Sequence, residues 1–126
     1  MSAPEKPGVV ESGKINSTKP MKPLSTQYTG ERRGCMASVK VDGKPLPCRL
    51  DLRNHSPTGF EWGYGGSGPS QLALAILADF FGDDQRALAL YQEFKWRAIA
   101  VIKDPTWAFT GLQIVEVLSD VHKVEE

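Results

Sequence analysis

The sequence predicts an α+β domain in which a small antiparallel sheet of about three strands packs against three helices. Three features carry that reading. Asp42-Gly43 sits between two alternating runs, as in a two-residue β-hairpin. Residues 69–81 are apolar almost all round, which suits a central helix rather than a surface one. Beyond them, two further segments carry apolar residues at helical spacing, separated by Asp104-Pro105.

The chain's 126 residues suit one domain, because a core of that size is buried without disulfides or metal. A hydrophobic content of 40% with no long apolar run implies a soluble protein without a membrane span. The first residues contain no apolar signal segment, so the expected compartment is cytoplasmic. Balanced charge argues against a broad basic surface for nucleic acid. Within the chain, residues 27–70 hold six Lys/Arg against four Asp/Glu, and residues 71–126 hold five against nine, which points to the first half for an anion site.

Residues 1–26 contain four prolines and no aromatic residue, the composition of a disordered tail, and 27–126 remain as the domain. A first strand is expected from Tyr28, in YTGERRG. A type I′ turn at Asp42-Gly43 sets the next register: Val41 opposite Lys44, Val39 opposite Leu46, Ala37 opposite Cys48 and Cys35 opposite Leu50. Pro45 and Pro47 then aim their missing donors away from the partner strand, so residues 44–50 form a sheet edge. In this register Cys35 and Cys48 are diagonal neighbours on the buried face, too far apart for a disulfide, and are expected as buried thiols. His55 and His122 add no recognisable zinc set, so neither a metal nor a cofactor is implied.

Asp51 to Gly59 reads as a loop, and Phe60 to Tyr64 alternates as a short buried strand would. Gly63, Gly65, Gly66 and Gly68 imply positive φ angles or close backbone approach. The first helix runs from Pro69 to Phe81 and ends on Gly82, with Asp83 or Asp84 capping the second. That second helix extends to about Lys103 on a stripe of Ala87, Leu90, Tyr91, Phe94, Ala98, Val101 and Ile102, leaving Trp96 off it. Thr110 caps a third helix, Gly111 to His122, that buries Leu112, Ile114, Val115 and Leu118.

From YTGERRG through GLQIVEVL the chain resembles a small family of uncharacterised domains of bacteria, phages and other mobile elements. The resemblance rests on LDLRNHSPTGFEWGYGGSGPSQLALAIL, the VDGKPLP hairpin and LYQEFKW. It implies the domain boundary and no activity. Through the mobile elements it implies an interaction or inhibitor role, such as countering a host defence system.

The leading functional expectation is noncatalytic binding of an anionic small molecule or nucleotide at the Gly-rich turn before the first helix. Helix N-termini present free N–H groups and the positive end of the macrodipole, and glycines admit a phosphate closely. The ligand set is Gly65, Gly66, Ser67, Gly68 and Ser70, with charge from Arg53, His55 or Arg49. GYGGSGPS lacks the Lys-Ser/Thr pair of a Walker motif, and no βαβ continuation supports a dinucleotide fingerprint. The same glycines equally suit a tight packing joint, with Ser67 or Ser70 as a cap. Glu61, between two aromatics, is expected to pair with Arg53 or Arg49; a His55/Glu61 acid-base pair is the small-enzyme alternative. The other alternative is a protein-binding module using the acidic helical face, Trp96 or Trp107.

Overall fold

A computed structural model describes residues 21–57 and 59–125, with side chains as far as Ser119. Its elements are β1 (Gln27–Arg33), β2 (Met36–Val41), β3 (Lys44–Pro45), α1 (Ser67–Phe81), α2 (Asp84–Phe94), β4 (Thr106–Thr110) and α3 (Gly111–Glu125). The four strands make one antiparallel sheet in the order β3-β2-β1-β4. Tyr28, Val39 and Val41 of the sheet share a single core with α1, so the fold is α+β as the patterning implied.

The hairpin register is the one the turn chemistry dictates. Asp42 and Gly43 take φ of 49° and 84°, Val41 pairs with Lys44, and the Leu46 N–H donates to Val39 C=O at 3.1 Å. Pro45 therefore lies on a true sheet edge. The ladder stops sooner than expected, because Pro47 offers no donor and Arg49, at φ 56°, turns the chain away. The Ala37–Cys48 and Cys35–Leu50 pairs do not form. Cys35 is exposed in the β1–β2 turn instead of buried, Cys48 is half-buried, and both are free thiols.

Phe60 to Tyr64 is not a strand. Phe60 and Trp62 are buried, but Tyr64 is exposed, Gly63 bends the segment at φ 92°, and the Trp62 indole N–H donates to Asp104 C=O at 3.0 Å. The remaining strand comes from Thr106–Thr110, which pairs with β1. There Gly30 lies opposite Trp107 and leaves the space its indole fills.

α1 is buried on every side and ends as predicted, with Gly82 at φ 63° donating to Ala78 C=O. Asp83 caps α2 by accepting from the Arg86 N–H at 3.2 Å. The second helix does not reach Lys103 as an α-helix: Lys95–Ile99 forms a π turn, closed by the Ala100 N–H on Lys95 C=O at 2.8 Å. The extra residue advances the apolar stripe by about 100°. Ile99 is therefore fully buried; Val101, expected inside, falls in the turn after the π segment and is exposed. Thr110 and Gln113 form a reciprocal cap at the start of α3, with Thr110 Oγ1 accepting from Gln113 N–H and Gln113 Oε1 accepting from Thr110 N–H. Ile114 and Leu118 are buried there, Val115 is half-buried, and Leu112 is exposed rather than buried.

Of the predicted tail, residues 1–20 lie outside the described residues. Residues 21–26 pack onto the domain: Lys22 N–H donates to Phe80 C=O at 2.8 Å, its Nζ pairs with Asp79 at 2.8 Å, and Thr26 is buried. The Tyr28 hydroxyl donates to the same carboxylate at 2.7 Å. Burial, reinforced by Asp79, raises the Tyr28 pKa far above the usual phenol range.

Candidate functional site

Two segments wrap the first half of α1. The earlier one, residues 48–56, is held by Gln71, the one amide side chain of a mostly apolar helix and fully buried. Its Oε1 accepts from His55 N–H at 2.8 Å and Ser56 N–H at 3.1 Å. Its Nε2 donates to Cys48 C=O at 2.8 Å and Arg53 C=O at 3.0 Å. A primary amide has two donors and two acceptor sites, so Gln71 is saturated.

The charged side chains of this loop are tied up as well. Arg49 meets Asp51 through two bonds of 3.0 Å and Asp84 through a third of 3.0 Å. Hydrogen bonding from Arg49 lowers the Asp51 pKa below the usual carboxylate range. Arg53 is exposed and donates to its neighbour's carbonyl, Leu52 C=O, at 2.9 Å. His55 Nε2 lies 2.7 Å from the Tyr91 hydroxyl.

The later segment is the Gly-rich turn. Gly63 alone needs its positive φ, and its N–H donates to Ile99 C=O in the π turn at 3.1 Å. The other three glycines are explained by close approach: a side chain at Gly65 would strike the Trp96 ring, one at Gly66 the Tyr64 ring, and a Cβ at Gly68 would stand 2.7 Å from Glu61 Cβ. Gly66 is the N-cap of α1, and neither Ser67 nor Ser70 caps it; no side-chain bond is made there, and the first turn contains no acidic residue. The first intrahelical bond runs from Ser70 N–H to Gly66 C=O at 3.1 Å. Pro69 has no N–H, so the orphan donors at this helix end are those of Gly66, Ser67 and Gly68.

Ser67 and Gly68 open onto a cleft of about 360 Å³, which is also lined by Cys35, Phe60, Glu61 and Tyr64. Glu61 does not pair with Arg53 or Arg49. It accepts from Arg32 Nη2 at 2.7 Å, and Arg32 stacks over Trp62 at 4.5 Å. Behind the turn lies Lys95, only 6% exposed, whose Nζ has a single long contact to Gly65 C=O at 3.5 Å and sits 4.3 Å from the Trp96 ring. Among the described residues it forms no salt bridge.

Of the residues the sequence nominated, the structure gathers Ser67 and Gly68 at the cleft with Glu61; Gly65 and Gly66 do not line it, and Ser70 is buried in the first turn of α1. Arg53 and His55 do not line the cleft, nor do Lys95 and Trp96, which lie at the Gly65 side of the turn, and His55 and Glu61 are bonded to different partners. Sequence reasoning missed Gln71, Arg32 and Lys95. Two of these had a signal: Gln71 is a lone amide in an apolar helix, and Lys95 stands four residues after Tyr91 and three before Ala98, on the buried stripe. Among the described residues no group of three His, Cys, Asp or Glu is placed to hold a metal ion. No helix among them is long and apolar enough to cross a membrane.

Fold and site together define an α+β domain with an uncapped, glycine-framed helix N-terminus backed by a buried cation. The chain belongs to a family of unknown function (DUF6166), whose model matches residues 28–120. No curated protein and no solved structure matches it.

Proposed function

We propose that the protein is a noncatalytic binder that holds an anionic, nucleotide-like small molecule at the Gly65-to-Ser70 turn. The observation that carries this reading is Lys95: a buried ammonium with no carboxylate partner among the described residues, placed beside the positive end of a fifteen-residue helix. A buried cation is costly, and a helix N-terminus adds to the repulsion unless negative charge arrives. Around the turn the cations Arg32 and Lys95 face one carboxylate, Glu61, so the balance favours an anion. Ser67 and Gly68 supply main-chain donors to the cleft. Tyr64 and Trp96, 52% and 54% exposed, lie on Gly66 and Gly65 and offer aromatic faces for a base.

In this reading the charge comes from Lys95 in the second half of the chain, in place of Arg53 and His55. The test is a thermal-shift panel of nucleoside mono-, di- and triphosphates, the bare nucleosides and inorganic phosphate. Phosphate-bearing nucleotides should raise Tm, less so at high salt, and Lys95→Met should remove the rise. A panel without response, or a response unchanged by Lys95→Met, refutes the proposal. The second reading, a protein-binding module or mobile-element inhibitor, draws on the exposure of Trp96 and predicts a partner lost on Trp96→Ala with no nucleotide response.

A further inference from the structure

The two edges of the sheet are finished differently. The β3 edge carries Lys44, Pro45 and, just beyond, Pro47, residues that discourage another strand from adding. The β4 edge reads Thr-Trp-Ala-Phe-Thr, with no proline and no charge within it; Pro105, just before it, turns its C=O toward Arg32 of β1 and not to the open side. The β1–β4 register decides which of its main-chain groups are free. Arg32 N–H donates to Pro105 C=O at 2.8 Å, so 105, 107 and 109 turn their groups toward β1, while Thr106, Ala108 and Thr110 turn theirs outward. The N–H of Thr110 is already taken by Gln113 Oε1 at 2.9 Å, which agrees with this phase and ends the open edge. What remains is one N–H and one C=O on each of Thr106 and Ala108, both exposed and without a partner among the described residues.

We propose that this edge pairs antiparallel with β4 of a second copy of the chain, with Trp107 facing Trp107 across a two-fold axis. In that register Thr106 lies opposite Ala108 of the second copy, and Ala108 opposite Thr106, each pair exchanging both of its bonds. Every free group on the edge is used and none is left over. Because the strand is uncharged, facing itself brings no like charges together, whereas self-pairing of the other edge would oppose Lys44 residues. Trp107 and Phe109, half-buried with ring centroids 5.3 Å apart, give each copy an apolar flank that the other covers. The result is a continuous eight-stranded sheet, two copies of four strands.

Sedimentation of the full chain across a dilution series tests this. The mass should double at high concentration, and the amides of Thr106 and Ala108 should exchange with solvent more slowly there than on dilution. Ala108→Pro removes an outward donor while leaving the β1–β4 bonds of 107 and 109, and should give a monomer with unchanged circular dichroism. Should that variant fail to fold, Thr106→Lys decides, weakening association at least tenfold through charge on the edge. A wild-type chain that stays monomeric, or a dimer that survives the folded variant with both amides exchanging freely, overturns the proposal.

Discussion

The loop at 48–56 and the turn at 63–68 both lie against the first half of α1, yet they are finished in opposite ways. In the loop, every arm of Gln71 is bonded, Arg49 is shared by two carboxylates, and His55 meets Tyr91. At the turn, the helix end is uncapped and Lys95 is buried with one long contact. A segment whose polar groups satisfy each other is a structural clamp. The turn instead leaves the Lys95 ammonium with a carbonyl at 3.5 Å and the Trp96 ring, and with no carboxylate among the described residues. The proposed ligand site rests on this contrast, and variants in each segment test it.

If the loop is a clamp, breaking it should cost stability and nothing else. Gln71→Leu strands His55 N–H, Ser56 N–H and the carbonyls of Cys48 and Arg53 in a buried site, and should cost about 3 kcal/mol. For a domain of this size that is a fall in Tm on the order of 10 °C or more, read by calorimetry. Nucleotide response, measured below the new Tm, should survive. Lys95→Met tests the turn and has the opposite sign. Removing a buried ammonium that has no carboxylate partner among the described residues should raise stability by about 1 kcal/mol while abolishing the nucleotide shift. A destabilised Lys95→Met would mean the ammonium already has its partner, and the contrast between the segments would fail.

Smaller effects sharpen the assignment within the loop. Arg53→Ala removes only an exposed bond to Leu52 C=O, so stability should change by less than about 0.5 kcal/mol and ligand response should not change. The smallest signal is the titration of Asp51. Its folded pKa is depressed by Arg49, so any stability it contributes is present above its ordinary pKa of about 3.9 and is lost as pH falls through the folded value. NMR should place its carboxyl titration below the ordinary range, and Arg49→Ala should return it there.

Much of this was legible because it is local. Positive φ at Asp42 and Gly43, the Gly82 helix stop and the Asp83 cap each follow from a few adjacent residues, and each is found. Thr106–Thr110 also alternates locally, but its Thr110 cap signal and the preceding Asp104-Pro105 masked a strand that exists because β1 offers it an edge. Phe60 to Tyr64 erred the other way: its alternation marks burial of Phe60 and Trp62, and no strand is adjacent to accept its backbone. Val101 is exposed because the helix ends in a π turn at Ile99 and leaves it in the turn beyond, an ending that periodicity alone does not register.

The sequence by itself therefore determined the class of fold, the hairpin register, the central helix and the need for glycine before it, since steric and hydrophobic rules act over a few residues. Tertiary structure decided which polar groups meet: Glu61 with Arg32 at a separation of 29 residues, Gln71 with the loop before it, and Lys95 with Gly65 at a separation of 30 residues. Such pairings depend on distances set by packing across the whole core, and no local pattern specifies them.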